Sequence, residues 1–513
     1  MSAGSNPLPA TDKRALLAEL LARKAASAAI APTGPSPRIP GPATRTSGRL
    51  PASFAQERVW FLHHLAPESP VYNVVAAARV HGPIVSTHVR EALRRLLGRH
   101  EILRSAFAVD SGGIHVVPRA DVTLPFHLHD LTHLAGDAQR VEIDRVCEGD
   151  AGRPFDLARP PLFSFRIFRL HEEEHVLFIN MHHIVTDSYS VAVLVRECSR
   201  GYEALMSGAA PVADLEIQYA DFARWQRDAL RPDVMEPELR FWREKLRGAQ
   251  DLALRTDRPR STPPSFAGGR ETLQLSPGLS TALRAFLRVE GMTAYQVVLA
   301  AFAVVLLRYT GQEDVVVGCP VTNRSRIETE SLIGLFVNTV VLRFCLAGDP
   351  TFREVLGRVR AVTLEALAHQ ELPFEKVVEA VRASGSLESA PLFRIMFGFP
   401  QAPTRGVAFG SCTVEPYPAF NGTAQFELSV SITDWIGELG LSAEYRRDLF
   451  DAGTVKRLLG HTAALVAAML ANPGTRVSEA DFLDEEERRI VVPEAIEPSS
   501  TRAPPSCLDA FRE

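Results

Sequence analysis

The sequence predicts an α+β protein made of two lobes. The chain has 513 residues, which is too long for a protein with a single hydrophobic core. Helical and strand-like apolar patterns alternate in both halves of the chain, and no short-period repeat is present. A polar, proline-bearing passage at residues 256–269 separates the halves. Mixed elements in two halves of similar size predict two lobes joined by a linker.

The composition is that of a soluble globular protein, with 46% hydrophobic and 23% charged residues. The net charge of -5 excludes a basic surplus for nucleic acid or for an anionic membrane surface. The apolar stretch Ala294–Leu307 contains Tyr295 and Gln296 and is too short to span a bilayer, so it predicts a buried helix. With no secretion signal at the N-terminus, we expect a cytoplasmic protein.

The cysteines predict free thiols rather than a metal site. None of the six belongs to a C-x-x-C pair, which argues against a zinc knuckle or a thioredoxin-like site. A reducing cytoplasm keeps such residues as thiols. We therefore expect no bound metal.

Residues 1–48 predict an amphipathic helix followed by a linker. Thr11 and Asp12 offer an N-cap, and leucines at 16, 17, 20 and 21 form one apolar stripe. The segment 32–51 is rich in Pro, Gly, Ser and Thr, which is linker composition. The helix either docks on its own domain or binds a partner.

In the body, apolar periodicity predicts the elements that follow. Two apolar runs around Glu172-Glu173-Glu174 predict a β-hairpin with an acidic turn. The helices expected from the 3.6-residue pattern are 56–65, 86–99, 190–206, 279–289 and 294–307; the strands expected are 72–80, 163–170, 175–181 and 314–321.

The segment Met181-His182-His183-Ile184-Val185-Thr186-Asp187-Ser188-Tyr189-Ser190 carries the strongest chemical signal. It follows an apolar strand and precedes a helical pattern, a junction that releases side chains into a cleft. Adjacent histidines on an extended backbone point to opposite sides, so one can face a cavity and the other an interior. Imidazole accepts protons near neutral pH. The alternatives at this point are two core histidines or a metal site, although no H-E-x-x-H helix accompanies them.

This segment resembles the H-H-x-x-x-D signature of nonribosomal peptide synthetase condensation domains, and the family's other motifs surround it in order. They cover residues 50 to 480, and the seventh is weak. Besides the histidine segment, these are Ser53-Phe54-Ala55-Gln56-Glu57-Arg58-Val59-Trp60-Phe61-Leu62, residues 99–107, Tyr219-Ala220-Asp221-Phe222-Ala223-Arg224-Trp225, Ile333-Gly334-Leu335-Phe336-Val337-Asn338-Thr339, His369-Gln370-Glu371-Leu372-Pro373-Phe374-Glu375 and residues 389–393.

The resemblance implies two chloramphenicol-acetyltransferase-like lobes in a V-shaped pseudo-dimer with a central tunnel. It implies an N-terminal lobe at 49–226, a C-terminal lobe at 227–485 and, at 486–513, a linker into an adenylation domain. The implied activity is amide-bond formation between a donor acyl thioester and a carrier-bound aminoacyl group. Substrates arrive on phosphopantetheine arms of carrier proteins or as acyl-coenzyme A, with no bound cofactor. The implied partners are downstream adenylation and carrier domains and a donor carrier.

Carried over by position, the resemblance makes His183 the catalytic histidine and His182 its structural neighbour. It makes Asp187 a salt-bridge residue with Arg324 as partner. Asn338 and Tyr189 are expected to line the tunnel, although a structural amide is an equally good interpretation of Asn338.

Two departures from the family pattern stand out. Ser188 replaces the usual glycine after the aspartate, so a narrower tunnel or an altered rate is expected. His63-His64-Leu65 is similar to the start of an extra motif in dual epimerisation/condensation domains, but Pro70-Val71 stands where Gly-Asp is expected. Epimerase activity is therefore not predicted.

The family leaves several functions open. A starter domain N-acylating the first amino acid is favoured, and the alternative is an elongation domain taking a peptidyl or polyketidyl chain from an upstream subunit. A non-catalytic platform that recruits a partner enzyme is disfavoured because His183 is present. Heterocyclisation, epimerisation and plant-type coenzyme A acyltransfer are disfavoured by the motifs and by the adenylation-like residues 504–511.

Overall fold

The computed structural model describes residues 38–41, 50–210, 212–261, 265–383, 391–398, 409–435 and 438–491. The predicted N-terminal helix, most of its linker, residues 389–390 of the seventh motif and the adenylation-like tail lie outside the described residues.

Helices and strands alternate along the described chain. The helices are α1 Phe54–Leu65, α2 Ser86–Arg99, α3 Asp137–Ala151, α4 Ser188–Ser207, α5 Tyr219–Ala229, α6 Pro232–Lys245, α7 Pro277–Glu290, α8 Ala294–Thr310, α9 Phe352–Ala368, α10 Phe374–Ala383, α11 Ala452–Ala471 and α12 Glu485–Val491. The strands are β1 Leu50–Pro51, β2 Asn73–His81, β3 Ser105–Asp110, β4 Gly113–Pro118, β5 Phe126–Asp130, β6 Phe163–His171, β7 Glu174–His182, β8 Gly268–Gln274, β9 Asp314–Val321, β10 Asn338–Cys345, β11 Ile395–Gly398, β12 Thr413–Tyr417, β13 Leu428–Trp435 and β14 Glu438–Arg446.

The first lobe is built on a five-stranded sheet in the order β12-β2-β7-β6-β5. The predicted hairpin is confirmed: β6 and β7 pair antiparallel, with Glu172 and Glu173 in the turn and Glu174 as the first residue of β7. From His175 to His182 every residue of β7 is buried, which explains why its apolar run does not alternate. Asp187 is the N-cap of helix α4, and Gly208, whose φ of 69° suits glycine, is its C-cap. This lobe therefore holds the strand that carries the two histidines.

The second lobe is built on a six-stranded sheet in the order β10-β9-β11-β13-β14-β8. The predicted buried helix is confirmed as α8, which extends three residues further than expected, to Thr310. Thr293 and Gln296 form a capping box at its start, and residues 296–306 are all buried. A smaller three-stranded sheet in the order β1-β4-β3 accompanies these two. Sheets with helices packed on them confirm the predicted α+β class.

Chain order and lobe membership do not coincide. Strand β12, from the second half, pairs antiparallel with β2 in the first-lobe sheet, with Thr413 opposite His81. The segment 332–336 also packs into the first lobe's core. The predicted boundary at 226–227 falls inside α5. The polar passage predicted at 256–269 is described except for residues 262–264, and in it Arg260 pairs with Glu427 of the second lobe at 2.9 Å.

The predictions about the cysteines and about membrane-spanning segments can be compared with the structure. The five cysteines within the described ranges are free thiols. Within those ranges no single helix has the length and apolarity to cross a membrane. Helices α7 and α8 have that length and apolarity only when they are taken together, and the pair is bent by 107°.

Candidate active site

The histidine motif lies at the junction that the sequence predicts. β7 ends at His182, a short 3₁₀ turn covers His183–Val185, and α4 begins at Ser188. Gln56 of α1 holds this turn from outside by donating from Nε2 to the Ile184 carbonyl at 3.1 Å. The histidine turn is thereby braced by the first-motif helix.

His183 presents a free basic nitrogen. Its Nδ1 lies 2.7 Å from the Thr186 carbonyl oxygen, and because a carbonyl only accepts, Nδ1 carries the proton. In the neutral ring Nε2 is then unprotonated, and within the described part of the chain it has no hydrogen-bond partner. Burial lowers the pKa of His183, against the opposing effects of the Thr186 carbonyl and Asp187. The ring is therefore neutral at pH 7 and able to accept a proton.

His182 faces the interior, as the alternation along a strand requires. Only 1% of it is exposed, and its Nδ1 accepts the Ile184 N–H at 3.2 Å. Burial, followed by the neighbouring His63 and His183, lowers the pKa of His182 well below its usual value. His182 is a structural residue of the turn, and it stays neutral.

Asp187 holds two segments together. Its Oδ1 accepts the Ser190 N–H at 2.7 Å as the cap of α4. Its Oδ2 accepts the backbone N–H groups of Phe336 and Val337 at 2.9 and 3.1 Å. None of these hydrogen bonds goes to His183. The carboxylate therefore fixes the start of the helix after the histidine turn against a loop from the second half of the chain.

Arg324 stands beside Asp187 as the motif comparison predicts, with Nη2 3.5 Å from Oδ1 and side chains 3% and 5% exposed. Nη1 donates to the carbonyl oxygens of Thr329 and Leu332, and the guanidinium lies between the rings of Phe336 and Tyr189. A planar guanidinium suits both kinds of contact. Tyr189, predicted to line the tunnel, thus supports Arg324 with its ring.

Ser190 is a residue of this site that sequence reasoning missed. Its Oγ accepts from Arg324 Nη2 at 2.7 Å and from the Gly334 N–H at 3.1 Å, and it donates to the Gly334 carbonyl at 2.6 Å. The available signal was a serine three residues after the N-cap, where small polar residues turn inward. Ser190 joins Arg324 to the Gly334 loop.

The motifs around the histidines form one hydrogen-bonded unit. Tyr219 of the fourth motif donates to the Leu335 carbonyl at 2.5 Å and contacts Ser53 Oγ of the first motif at 2.8 Å. A Cβ on Gly334 would lie 1.9 Å from the Tyr219 ring, so glycine is required there by close approach. Residues distant in sequence therefore act together as the scaffold of the turn.

Ser188 is exposed, whereas Asn338 is buried. Ser188 is the exposed first residue of α4, and among the described non-glycine residues only Asn323 and Asp349 have positive φ. The backbone at Ser188 therefore does not call for glycine. Asn338 is buried; its Nδ2 donates to the carbonyls of Gln370 and Leu372, and its Oδ1 accepts from the Phe374 N–H. These contacts favour the structural-amide interpretation, and a position on the tunnel wall stays a prediction.

Arg58 of α1 contacts the second lobe. Its Nη1 lies 3.9 Å from Glu375 Oε2, and its guanidinium carbon is 5.9 Å from the centre of the Phe374 ring. The positive charge of Arg58 also lowers the pKa of His183, after the larger effect of burial. Burial raises the pKa of Glu375. This contact between the first and sixth motifs was not predicted, because neither motif indicates its spatial neighbour.

Comparison with known proteins agrees with this geometry. The family described as "Condensation domain" matches residues 46–492. One of the linear gramicidin synthase subunits from Brevibacillus parabrevis is 40% identical over 447 residues, covering 86% of this chain and 6% of that protein. The X-domain in a complex with OxyB from teicoplanin biosynthesis matches with a TM-score of 0.74 at 28% identity, covering 88% of this chain and all of that one. The starter condensation domain of rhizomide synthetase, solved with C8-CoA, matches in fold with a TM-score of 0.75 at 20% identity, covering 86% and 99%.

The two-lobed fold and the imidazole at the end of β7 define a protein of the acyltransferase class. The chain belongs to the condensation-domain family of nonribosomal peptide synthetases, whose members form amide bonds. It spans less than a tenth of the length of the first curated relatives that it matches. Within such synthetases, condensation domains work together with carrier and adenylation domains.

Proposed function

We propose that the chain forms an amide bond between a donor acyl thioester and the amine of an aminoacyl group on a carrier-protein phosphopantetheine. The observation that carries the proposal is the environment of His183: Nδ1–H is held by the Thr186 carbonyl, while Nε2 has no partner in the described chain. A neutral imidazole oriented in this way accepts a proton at neutral pH. His183 is therefore assigned as the group that takes the proton of the attacking amine.

The reaction proceeds by addition and elimination. The acceptor amine attacks the thioester carbon and forms the C–N bond, and its proton passes to His183 Nε2. The C–S bond then breaks, and the imidazolium returns the proton to the departing thiolate sulfur. The Thr186 carbonyl stabilises the imidazolium in between through Nδ1–H. No cofactor is consumed, because both substrates arrive activated or ready on carrier arms or on coenzyme A.

The proposed route to His183 is a passage between the lobes that the donor and the acceptor enter from opposite mouths. The buried pair of Arg324 and Asp187 is assigned to scaffolding, together with Ser190. Tyr189 and Asn338 are proposed to border the passage, and Ser188 to present its exposed hydroxyl toward it. The proposed partners are the downstream adenylation and carrier domains and a donor carrier, in the cytoplasm.

For the donor, we propose a starter acyl group delivered as acyl-coenzyme A or on an acyl carrier. A relative favours the alternative of an elongation donor: the linear gramicidin synthase polypeptide that is 40% identical to this chain is one subunit of a synthetase. A synthetase divided into subunits has to pass its growing chain from one subunit to the next. Both donors are thioesters and use the same imidazole.

A non-catalytic recruiting role has support from a different observation. The X-domain, 28% identical, was solved in complex with OxyB, and its fold matches over 88% of this chain. The open Nε2 of His183 argues for catalysis, because a recruiting surface has no use for a basic nitrogen at the lobe boundary.

The test incubates purified protein with an acceptor carrier loaded with several aminoacyl groups and with a panel of donors, and mass spectrometry of the carrier reports amide formation. His183→Ala should lower the rate by at least about 100-fold, the lower range for a lost general base. His64→Ala is the matched control, since His64 is exposed and lies outside the histidine turn. Wild-type turnover by His183→Ala contradicts the mechanism.

The same assay separates the two donors. Product formed only when the donor is acyl-coenzyme A or an acyl carrier supports the starter function. Product only from a peptidyl or polyketidyl carrier supports the elongation function and rejects the starter. Binding of a partner enzyme without amide formation from any donor supports the recruiting role.

A further inference from the structure

The pair His63-His64, at the end of α1, plays no part in the proposed reaction, yet the structure brings His63 to the active-site strand. His63 is 7% exposed, and its ring lies 5.1 Å from the ring of His182, centre to centre, with the planes at 85°. Tyr72 and Phe155 flank His182 at 6.2 Å. The two imidazoles therefore meet in a mostly aromatic setting directly behind the catalytic turn.

Each ring has one buried nitrogen without a partner. His182 Nδ1 accepts the Ile184 N–H, so the proton of the neutral ring is on Nε2, and Nε2 is buried and unpartnered. His63 Nδ1 is buried and unpartnered as well. An unsatisfied buried polar atom costs about 1–3 kcal/mol, so one donor and one acceptor in adjacent rings are expected to satisfy each other.

The tautomer of His182 matters for His183. Only the form with an unprotonated Nδ1 can accept the Ile184 N–H and so hold the 183–185 turn. The protonated nitrogen of an imidazole is set by the partner of its other nitrogen. An acceptor for Nε2–H therefore selects the tautomer that keeps the catalytic turn closed. Burial lowers the pKa of both His63 and His182, which keeps the pair neutral.

We propose that His63 is a positioning residue for His183: its Nδ1 accepts the Nε2–H of His182, through one bridging water or after a small ring rotation, and thereby holds His182 in the tautomer that caps the catalytic turn. Two polar partners are the fewest that a buried water has. This role rests on the proposed function, in which His183 is the proton acceptor. His64 has no such role, since its Nδ1 contacts the Trp60 carbonyl and its ring stacks on Trp60.

The test compares His63→Phe, which keeps an aromatic ring but has no nitrogen, with His63→Gln, which keeps an acceptor. His64→Phe is the matched control. We expect His63→Phe to lower kcat by about tenfold, within the range for a slightly misplaced catalytic group, with KM for the acceptor carrier unchanged. His63→Gln should recover kcat to within about threefold of wild type, because the acceptor is restored.

A second readout is the ¹⁵N NMR spectrum of the histidine rings. Wild type and His63→Gln should show His182 with an unprotonated Nδ1, whereas His63→Phe should show a mixture of tautomers. If His63→Phe does not fold, His63→Leu replaces it in the same comparison.

The proposal is overturned if His63→Phe matches His64→Phe in kcat and leaves the His182 tautomer unchanged, since edge-to-face packing alone would then suffice. A wild-type protein that makes no amide refutes the proposed function, while the NMR comparison still decides whether His63 selects the His182 tautomer.

Discussion

Two strands, one in each lobe, end near the boundary between the lobes and deliver opposite kinds of side chain. β7 leads into His183, whose Nε2 has no partner among the described residues. β9 ends at Val321, and Asn323, with a φ of 50°, turns the chain toward Arg324. Both terminal nitrogens of Arg324 are engaged, and its side chain is 3% exposed.

The two strand ends differ in role: one presents an imidazole, and the other supports the segment that orients it. An imidazole can act on a substrate only if one nitrogen is left free, so its orientation has to come from other groups. The guanidinium supplies that support by holding Ser190 and Asp187 at the start of α4. Changes at the end of β7 should therefore lower the rate, whereas changes around Arg324 should first lower stability.

The largest expected effect is that of Arg324→Met. Removing the guanidinium leaves the carboxylate of Asp187 buried without its cationic partner, which should lower the free energy of unfolding by about 3–5 kcal/mol. Urea denaturation measures this loss. Arg94→Met is the control, because Arg94 pairs with Glu91 on the surface and should change stability by less than about 1 kcal/mol. Equal losses in the two variants would contradict the assigned role of Arg324.

Gly334→Ala adds one methyl group to the loop that packs on Tyr219 and so tests how closely that loop is packed. The added Cβ would meet the Tyr219 ring at 1.9 Å, so we expect a loss of about 1–3 kcal/mol in the free energy of unfolding. Gly460→Ala in α11 meets nothing within 4 Å and should instead stabilise by about 0.5–1 kcal/mol, because alanine favours helix. Thermal or urea unfolding of both variants gives the comparison. A neutral Gly334→Ala would mean that Tyr219 moves freely.

Arg58→Gln tests the effect of a nearby positive charge on the pKa of His183. In the proposed mechanism the active form of His183 is neutral. Because its pKa is lowered from 6.5, kcat/KM should fall only as the pH drops below 6.5. Removing the positive charge of Arg58 makes the imidazolium easier to form, so the acid limb should move to higher pH. Arg79→Gln is the control, since Arg79 pairs with Glu174 at the opposite end of β7. An unshifted limb in Arg58→Gln would show that Arg58 does not act on His183.

Ser188→Gly should have the smallest effect. Ser188 is exposed and sits at a helix start with no positive φ, so its backbone gains nothing from glycine. We expect a stability change within about 0.5 kcal/mol and a kcat within about threefold of wild type. Steady-state kinetics measures the latter. A rise of tenfold or more would mean that the serine side chain obstructs the substrate.

Local patterns predicted the elements that deliver the histidines. The β6–β7 hairpin follows from apolar runs around an acidic turn, and α4 follows from the helical pattern predicted over residues 190–206, although the helix begins two residues earlier, at Ser188. The buried helix α8 was predicted from its uniform apolarity. These features depend on neighbours within a few residues, which is why sequence reasoning reached them.

Long-range pairings were out of reach of the same reasoning. The addition of β12 to the first-lobe sheet joins Thr413 to His81, and nothing in either segment indicates the other. The contact of Arg58 with Glu375 and the multiple bonds of Ser190 also join segments far apart in the chain. Asn338 illustrates the ambiguity: its type allowed either a tunnel wall or a structural amide until its three backbone contacts were known.

By itself, the sequence determined the two-lobed α+β class, the family, and the strand–turn–helix that carries His182 and His183, because periodicity, capping and ordered motifs are written along the chain. Only the tertiary structure decided which nitrogen of His183 is free, which carboxylate and guanidinium hold its turn, and that His63 lies against His182. Proton positions and buried polar partners depend on atoms brought together across tens to hundreds of residues, and no local pattern specifies those encounters.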